Sequence, residues 1–151
     1  MIVLDTNVLS EIMRAKPDPA VMAWLDAQPP DDLWLNSVVA AELLCGVARL
    51  PEGARKQQLA LAVSAMLEQD FAGQILSFDL NAASVYAVML AERERVGQTM
   101  AMADAQIAAI CLSRDAMLAT RNTRHFEGLG LALMNPWDSP LAPSMNSVST
   151  Q

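Results

Sequence analysis

Ile2-Val3-Leu4-Asp5-Thr6-Asn7-Val8-Leu9 reads as a short buried strand that stops on an acid. The apolar run Ile2–Leu4, rich in β-branched residues, favours extended backbone. Thr6 or Asn7 then offers a side-chain oxygen to cap a helix near Val8–Arg14. A strand that passes straight into a helix is the start of a β–α unit, and the alternation repeats along the chain. Asp18 as cap and Pro19 as first helical residue open a helix over Ala20–Ala27. Leu33–Asn36 reads as a second strand, after which Ser37 caps an apolar helix, Val38–Leu50. Ala54–Gln69 is helical, with Leu59, Val63 and Met66 on one face. Gln74–Phe78 is a third strand. Ala82–Val96 is a helix closed by Gly97, and Ala101–Arg114 is another. Strands at Ala116–Thr120 and Leu131–Met134 complete the set. Strands separated by helices imply an α/β fold, a three-layer α/β/α sandwich around a mainly parallel sheet.

The 151 residues fit one ordinary domain, and at 53% hydrophobic the chain can build one substantial core. Aromatics are few, so that core must be aliphatic, with 10 methionines to fill irregular gaps. No run approaches the roughly 20 apolar residues of a membrane span. The amino terminus has an acid at position 5 and no basic region, unlike a secretory leader, so the expected location is cytoplasmic. Cys45 and Cys111 both lie in apolar helical patterns and are expected to be buried free thiols. The domain is expected to span residues 1–137. The Ser- and Pro-rich stretch 138–151 has no apolar period and is expected to form a flexible tail.

Seventeen acids against ten bases give a net charge of −7. A surface of that sign disfavours general binding to nucleic acid and suits a basic protein partner. Most of the acids sit in polar surroundings, but three do not. Asp5 ends an apolar strand, and in a parallel sheet the carboxyl ends of strands face the ligand crevice. Its plain alternative is a cap or turn aspartate. Glu42 lies within Val38-Val39-Ala40-Ala41-Glu42-Leu43-Leu44-Cys45, where a carboxylate needs a partner or a metal; the alternative is a pair with Arg49. Asp104 lies within Met102-Ala103-Asp104-Ala105-Gln106-Ile107, near a helix start that favours its charge; the alternative is an ordinary helix-start acid. Two helix starts and a strand end can meet at one sheet edge. Three carboxylates gathered there repel one another and call for a cation. Oxygen-only donors suit Mg2+ or Mn2+, and the absence of a Cys or His set argues against zinc.

Thr120-Arg121-Asn122-Thr123-Arg124-His125-Phe126 follows a strand directly. Its hydroxyls (Thr120 among them), the Asn122 amide and the guanidiniums of Arg121 and Arg124 could orient water and a phosphate. A polar turn explains the stretch equally well, and a lone histidine in a loop, His125, reads more simply as a surface residue. A phosphatase with Asp5 as nucleophile is disfavoured, because a second acid belongs two residues on and Asn7 stands there.

Together these segments resemble the PIN-domain family, in particular the toxin ribonucleases of the VapC type and the related FitB group. The resemblance rests on Leu4-Asp5-Thr6-Asn7-Val8-Leu9-Ser10-Glu11, on Ala41-Glu42-Leu43 with Gly46, on Ala103-Asp104-Ala105-Gln106-Ile107-Ala108-Ala109, on Ala119-Thr120-Arg121-Asn122 with Phe126, and on Asn135-Pro136-Trp137. It implies a parallel five-stranded sheet between helices. It also implies a Mg2+- or Mn2+-dependent endoribonuclease, the toxin half of a toxin–antitoxin pair, that hydrolyses RNA phosphodiester bonds, forms a homodimer and is inhibited by a cognate antitoxin protein. The resemblance makes Asp5, Glu42 and Asp104 metal-binding catalytic residues and Thr6 a pocket hydroxyl beside them. Many members carry a fourth acid at the place of Asn122 or of His125. Neither is acidic here, which implies weaker binding of a second cation. The alternative implication is a weakly active or inactive subunit of a DNA-binding, FitAB-like repressor complex.

Overall fold

The computed structural model describes residues 1–139; the expected tail lies outside them from Pro140 on. Five strands, β1 (Ile2–Leu4), β2 (Leu33–Asn36), β3 (Ile75–Leu76), β4 (Met117–Ala119) and β5 (Leu133–Met134), form one sheet in the order β3-β2-β1-β4-β5. All four neighbouring pairs are parallel, with Val3 beside Trp34 on one side and Leu118 on the other. Six helices connect them: α1 (Thr6–Ile12), α2 (Pro19–Asp26), α3 (Ser37–Ala48), α4 (Ala54–Ala65), α5 (Leu80–Arg95) and α6 (Met102–Ser113). The expected α/β sandwich with a parallel five-stranded sheet is therefore the fold observed.

The chain steps outward from β1 to β2 to β3, then returns through α5 and α6 to β4 on the far side of β1. Right-handed crossovers made in opposite directions lay their helices on opposite faces of the sheet. The reversal leaves a crevice between the carboxyl ends of β1 and β4, the usual ligand position in a doubly wound sheet. Asp5 and Thr120 are the first residues beyond those two ends.

Several details differ from the sequence reading, each for a local physical reason. Asp5 itself caps α1, its Oδ1 accepting from the Thr6 N–H at 2.8 Å, so neither Thr6 nor Asn7 is the cap. Asn36 caps α3 by accepting from the Val39 N–H at 2.8 Å, which makes Ser37 the first helical residue. Asp18 caps α2 and Pro19 begins it, as expected. The helix expected to run to Gln69 stops at Ala65 and continues as a wider π-helical turn, Met66–Asp70. Strand β3 keeps only two residues of the expected five, and β5 two of four; both are edge strands, with a pairing partner on one side only.

The core is aliphatic: Val3, Leu4, Leu9, Leu35, Val39, Ile110 and Leu118 are shut off from water, with Phe126 the one phenylalanine among them. Helix α6 is the most deeply placed, burying Ala105 and the whole run Ile107–Cys111. Its alanines let α5 lie close alongside. Burial pushes the Cys111 thiol up to about 12, so it is inert at neutral pH. Cys45 is exposed, which corrects the expectation of two buried thiols. Helix α3 turns Leu44, Cys45 and Ala48 outward, so an apolar helix here is not a buried one.

Candidate functional site

Asp5 is the anchor of the site. It is buried, and its two oxygens have different partners. Oδ1 takes the Thr6 N–H, while Oδ2 accepts from the Thr120 hydroxyl at 2.7 Å and, more weakly, from Asn7 Nδ2 at 3.5 Å. The Thr120 oxygen accepts in turn from Asn7 Nδ2 at 3.2 Å and from the Asn122 N–H at 3.1 Å. Asn7 Oδ1 accepts from the Arg121 N–H at 3.1 Å. The ends of β1 and β4 are thus stitched together by side chains where the ladder stops, and Asp5 cannot swing away.

A pocket of about 490 Å3 opens above this network, lined by Asp5, Thr6, Glu42, Asp104, Arg121 and Asn122 among others. Each of the three acids arrives from a different element: the end of β1, the body of α3 and the first turn of α6. They sense one another electrostatically. Burial raises the Asp5 carboxyl above its ordinary value against the Thr120 and Thr6 hydrogen bonds, and the Asp104 charge raises it further. Partial desolvation raises Glu42 as well, with the charge of Asp5 adding to it. Glu42 is exposed taken as a whole residue, but it lines the pocket, and desolvation acts there. Its suggested pairing with Arg49 does not form.

Does a divalent cation fit? The donors are carboxylate and hydroxyl oxygens, which suit Mg2+ or Mn2+. The Thr6 Oγ1 atom is buried without a hydrogen-bond partner; it lies near enough to Glu42 to favour the ionised carboxylate but short of a formed hydrogen bond. An unpartnered oxygen beside three mutually repelling acids is the environment a cation or its waters would satisfy. Among the described residues no three His, Cys, Asp or Glu side chains stand close enough together to hold a metal ion as they are. The arrangement fits an open site in which water completes the coordination.

The remaining residues divide between two pockets. Arg121 borders the acid pocket, its guanidinium carbon 4.9 Å from the ring centroid of Trp137, a cation–π contact that braces it. Asn122 borders the same pocket and precedes the 3-10 turn Thr123–Phe126. Arg124 does not reach it. It lines a neighbouring pocket of about 550 Å3 with Arg93, Ala101, Asp104 and His125, so Asp104 is the wall between the two. His125 Nδ1 stands 3.3 Å from Asp104 Oδ2, a proximity the sequence did not suggest. Glu11 was also missed as a site residue. It is buried at the rim of the acid pocket, accepts the Asp18 N–H at 2.9 Å and pairs with Arg14 at 3.1 Å. Its spacing, three residues after Val8 on the buried side of α1, was the signal available.

A carboxylate-lined crevice at the switch point of a parallel sheet is the feature that sets this α/β protein apart. The PIN domain model matches residues 2–130. The VapC ribonuclease Y4jK of Sinorhizobium fredii is 42% identical over 138 residues, covering 91% of this chain and 99% of that protein. Toxin FitB of Neisseria gonorrhoeae is 39% identical over 137 residues, covering 91% and 99%. A solved structure of FitAB bound to the IR36 DNA fragment superposes with a TM-score of 0.86 at 38% identity, covering 93% and 99%. The chain belongs to the PIN-domain family. Among the described residues no helix is long and apolar enough to cross a membrane.

Proposed function

We propose that this chain is a toxin-type endoribonuclease that hydrolyses RNA phosphodiester bonds with Mg2+ or Mn2+, held in check by a cognate antitoxin. The observation that carries the reading is the convergence of Asp5, Glu42 and Asp104 on one pocket beside the orphan hydroxyl of Thr6.

When bound by Asp5, Glu42 and Asp104, the cation supplies positive charge and Lewis acidity at the scissile phosphate. The protein does the rest. Thr120 and Asn7 fix the direction of the Asp5 carboxylate. Arg121, braced on Trp137, holds a phosphate oxygen of the substrate. The Asn122 side-chain carbonyl orients the attacking water. A Glu42 carboxylate oxygen takes that water's proton. Arg124, one pocket away, contacts the backbone of a neighbouring nucleotide.

A groove of about 920 Å3 runs between α3 and α4, lined by Leu43, Val47, Leu59 and Val63 with Arg55 beside them. It shares Thr6, Ser10, Arg14 and Glu42 with the acid pocket. The apolar floor of this groove and its continuity with the acid pocket make it the place we assign to the antitoxin. Contact with DNA belongs to that partner, in keeping with the charge of −7 on this chain. Exposed apolar residues, Leu44 on α3 and Leu61 on α4, offer surface for a homodimer, and the protein acts in the cytoplasm. The lack of an acid at Asn122 and His125 favours the second reading, a weakly active subunit of a repressor complex.

Incubation with a labelled total-RNA pool tests the choice. Discrete cuts that need Mg2+ or Mn2+, vanish with EDTA and vanish in a folded Asp5→Asn variant are expected. Full cleavage by Asp5→Asn would sink the mechanism, and no cleavage by folded wild type under either metal would leave the repressor reading.

A further inference from the structure

We infer that His125 makes the cation site a mixed nitrogen–oxygen site, one that prefers imidazole-binding transition-metal ions such as Mn2+ to Mg2+. The inference rests on the metal-dependent reading of the acid pocket. It begins with a distance: His125 Nδ1 lies 3.3 Å from Asp104 Oδ2. Two ligands on adjacent corners of an octahedron with bonds of roughly 2.1 Å stand about 3 Å apart. The pair is therefore spaced as neighbouring ligands of one ion.

The backbone holds the imidazole near that position. The 3-10 turn that carries it is fixed on one side by Phe126, buried in the core, and on the other by the His125 N–H donating to the Asn122 carbonyl at 3.1 Å. Asn122 is tied to Thr120, and Thr120 to Asp5. The residue that presents the imidazole and the carboxylate that anchors the pocket therefore belong to one hydrogen-bonded unit. His125 also stands close enough to Asp5 to act on its carboxyl electrostatically. His125 lines the neighbouring pocket with Arg93 and Arg124, and Asp104, its partner at 3.3 Å, is the wall which that pocket shares with the acid pocket.

The chemistry separates the candidate ions. Mg2+ keeps oxygen ligands and water, whereas imidazole is a good ligand for first-row transition dications, with affinity rising from Mn2+ through Co2+ to Ni2+. A carboxylate at this place would favour neither class so strongly. The competing account is an ion pair between a protonated His125 and Asp104 that binds nothing.

The test uses the full chain and the metals alone. Mg2+ and Mn2+ are titrated calorimetrically into wild type, His125→Ala, His125→Asp and Asp5→Asn, with circular dichroism to confirm that each is folded. The imidazole is exposed, so its replacement leaves the core intact. Pulsed electron paramagnetic resonance of the Mn2+ complex reads directly for coupling to nitrogen. Expected are a nitrogen coupling in wild type that disappears in His125→Ala, and a loss of at least about tenfold in Mn2+ affinity against less than about threefold for Mg2+. His125→Asp is expected to close the gap between the two ions. Mn2+ binding without nitrogen coupling, or equal weakening of both ions by His125→Ala, overturns the inference while leaving the acid site standing. No binding of either ion by wild type overturns both readings together.

Discussion

Replacing Thr120 with valine removes one oxygen from the centre of the switch-point network while keeping the shape of the side chain. The Thr120 hydroxyl is fully buried and donates to Asp5 Oδ2 at 2.7 Å. A hydrogen bond to a charged acceptor contributes roughly 1.5–3 kcal/mol. The same oxygen accepts from Asn7 Nδ2 and from the Asn122 N–H. Both bonds are only part-buried, so water replaces the lost acceptor at a further cost of about 1 kcal/mol at most. Thr120→Val should therefore destabilise the metal-free protein by about 2–4 kcal/mol, equivalent to a fall in Tm on the order of 10 °C for a domain of this size. Thr120→Ser keeps the hydroxyl and loses one methyl, about 1 kcal/mol. Urea unfolding followed by circular dichroism measures both. A valine variant no less stable than the serine variant would refute the claim that this hydroxyl holds Asp5.

Other consequences can be checked in parallel. Asp5 and Glu42 both hold protons more tightly folded than unfolded, so the native state binds more protons between their ordinary values and their raised ones. Stability of the metal-free protein should accordingly be greatest at the acid end of that window and fall as pH rises through the raised values. Thermal melts in EDTA should show this fall, and Asp5→Asn should flatten it. Glu11→Ala leaves the Asp18 N–H without its acceptor and should cost about 1–3 kcal/mol, whereas Glu11→Gln, which retains an oxygen, should cost less; an alanine variant as stable as wild type would show that the link between α1 and α2 does not depend on this residue. Ala109 is fully buried on α6, and Ala109→Leu should lose about 1–3 kcal/mol by overpacking, seen as a lower urea midpoint.

The β–α order was legible in the sequence because apolar runs of the right length alternate with capped helical patterns. So was the meeting of Asp5, Glu42 and Asp104, since each is an acid out of keeping with its neighbours. Composition misled at α3. Cys45 was read as a buried thiol, whereas Leu44 and Cys45 face outward and Glu42 borders the acid pocket. The cap positions slipped by one residue, because Asp5 and Asn36 do two jobs each, ending a strand and opening a helix. Thr120 as the hub of the network had no sequence signature: a threonine after a strand is common, and its value comes from Asp5, 115 positions away. The approach of His125 to Asp104 was hidden for the same reason. It depends on how a 3-10 turn sits against the first turn of α6, a tertiary matter that no local pattern encodes.

The wall shared by the α3–α4 groove and the acid pocket links two equilibria. Whatever fills the groove touches Thr6 and Glu42, two of the groups we propose face the cation. If occupancy of one compartment alters affinity in the other by some factor, the reverse effect has the same factor by thermodynamic necessity. A basic segment reaching Glu42 would compete with the ion for the same negative charge, so the grip of an inhibitor would loosen as the free concentration of divalent metal rises. The release of such a protein from restraint would then be graded by the ionic composition around it, without proteolysis of its partner and without a change of fold.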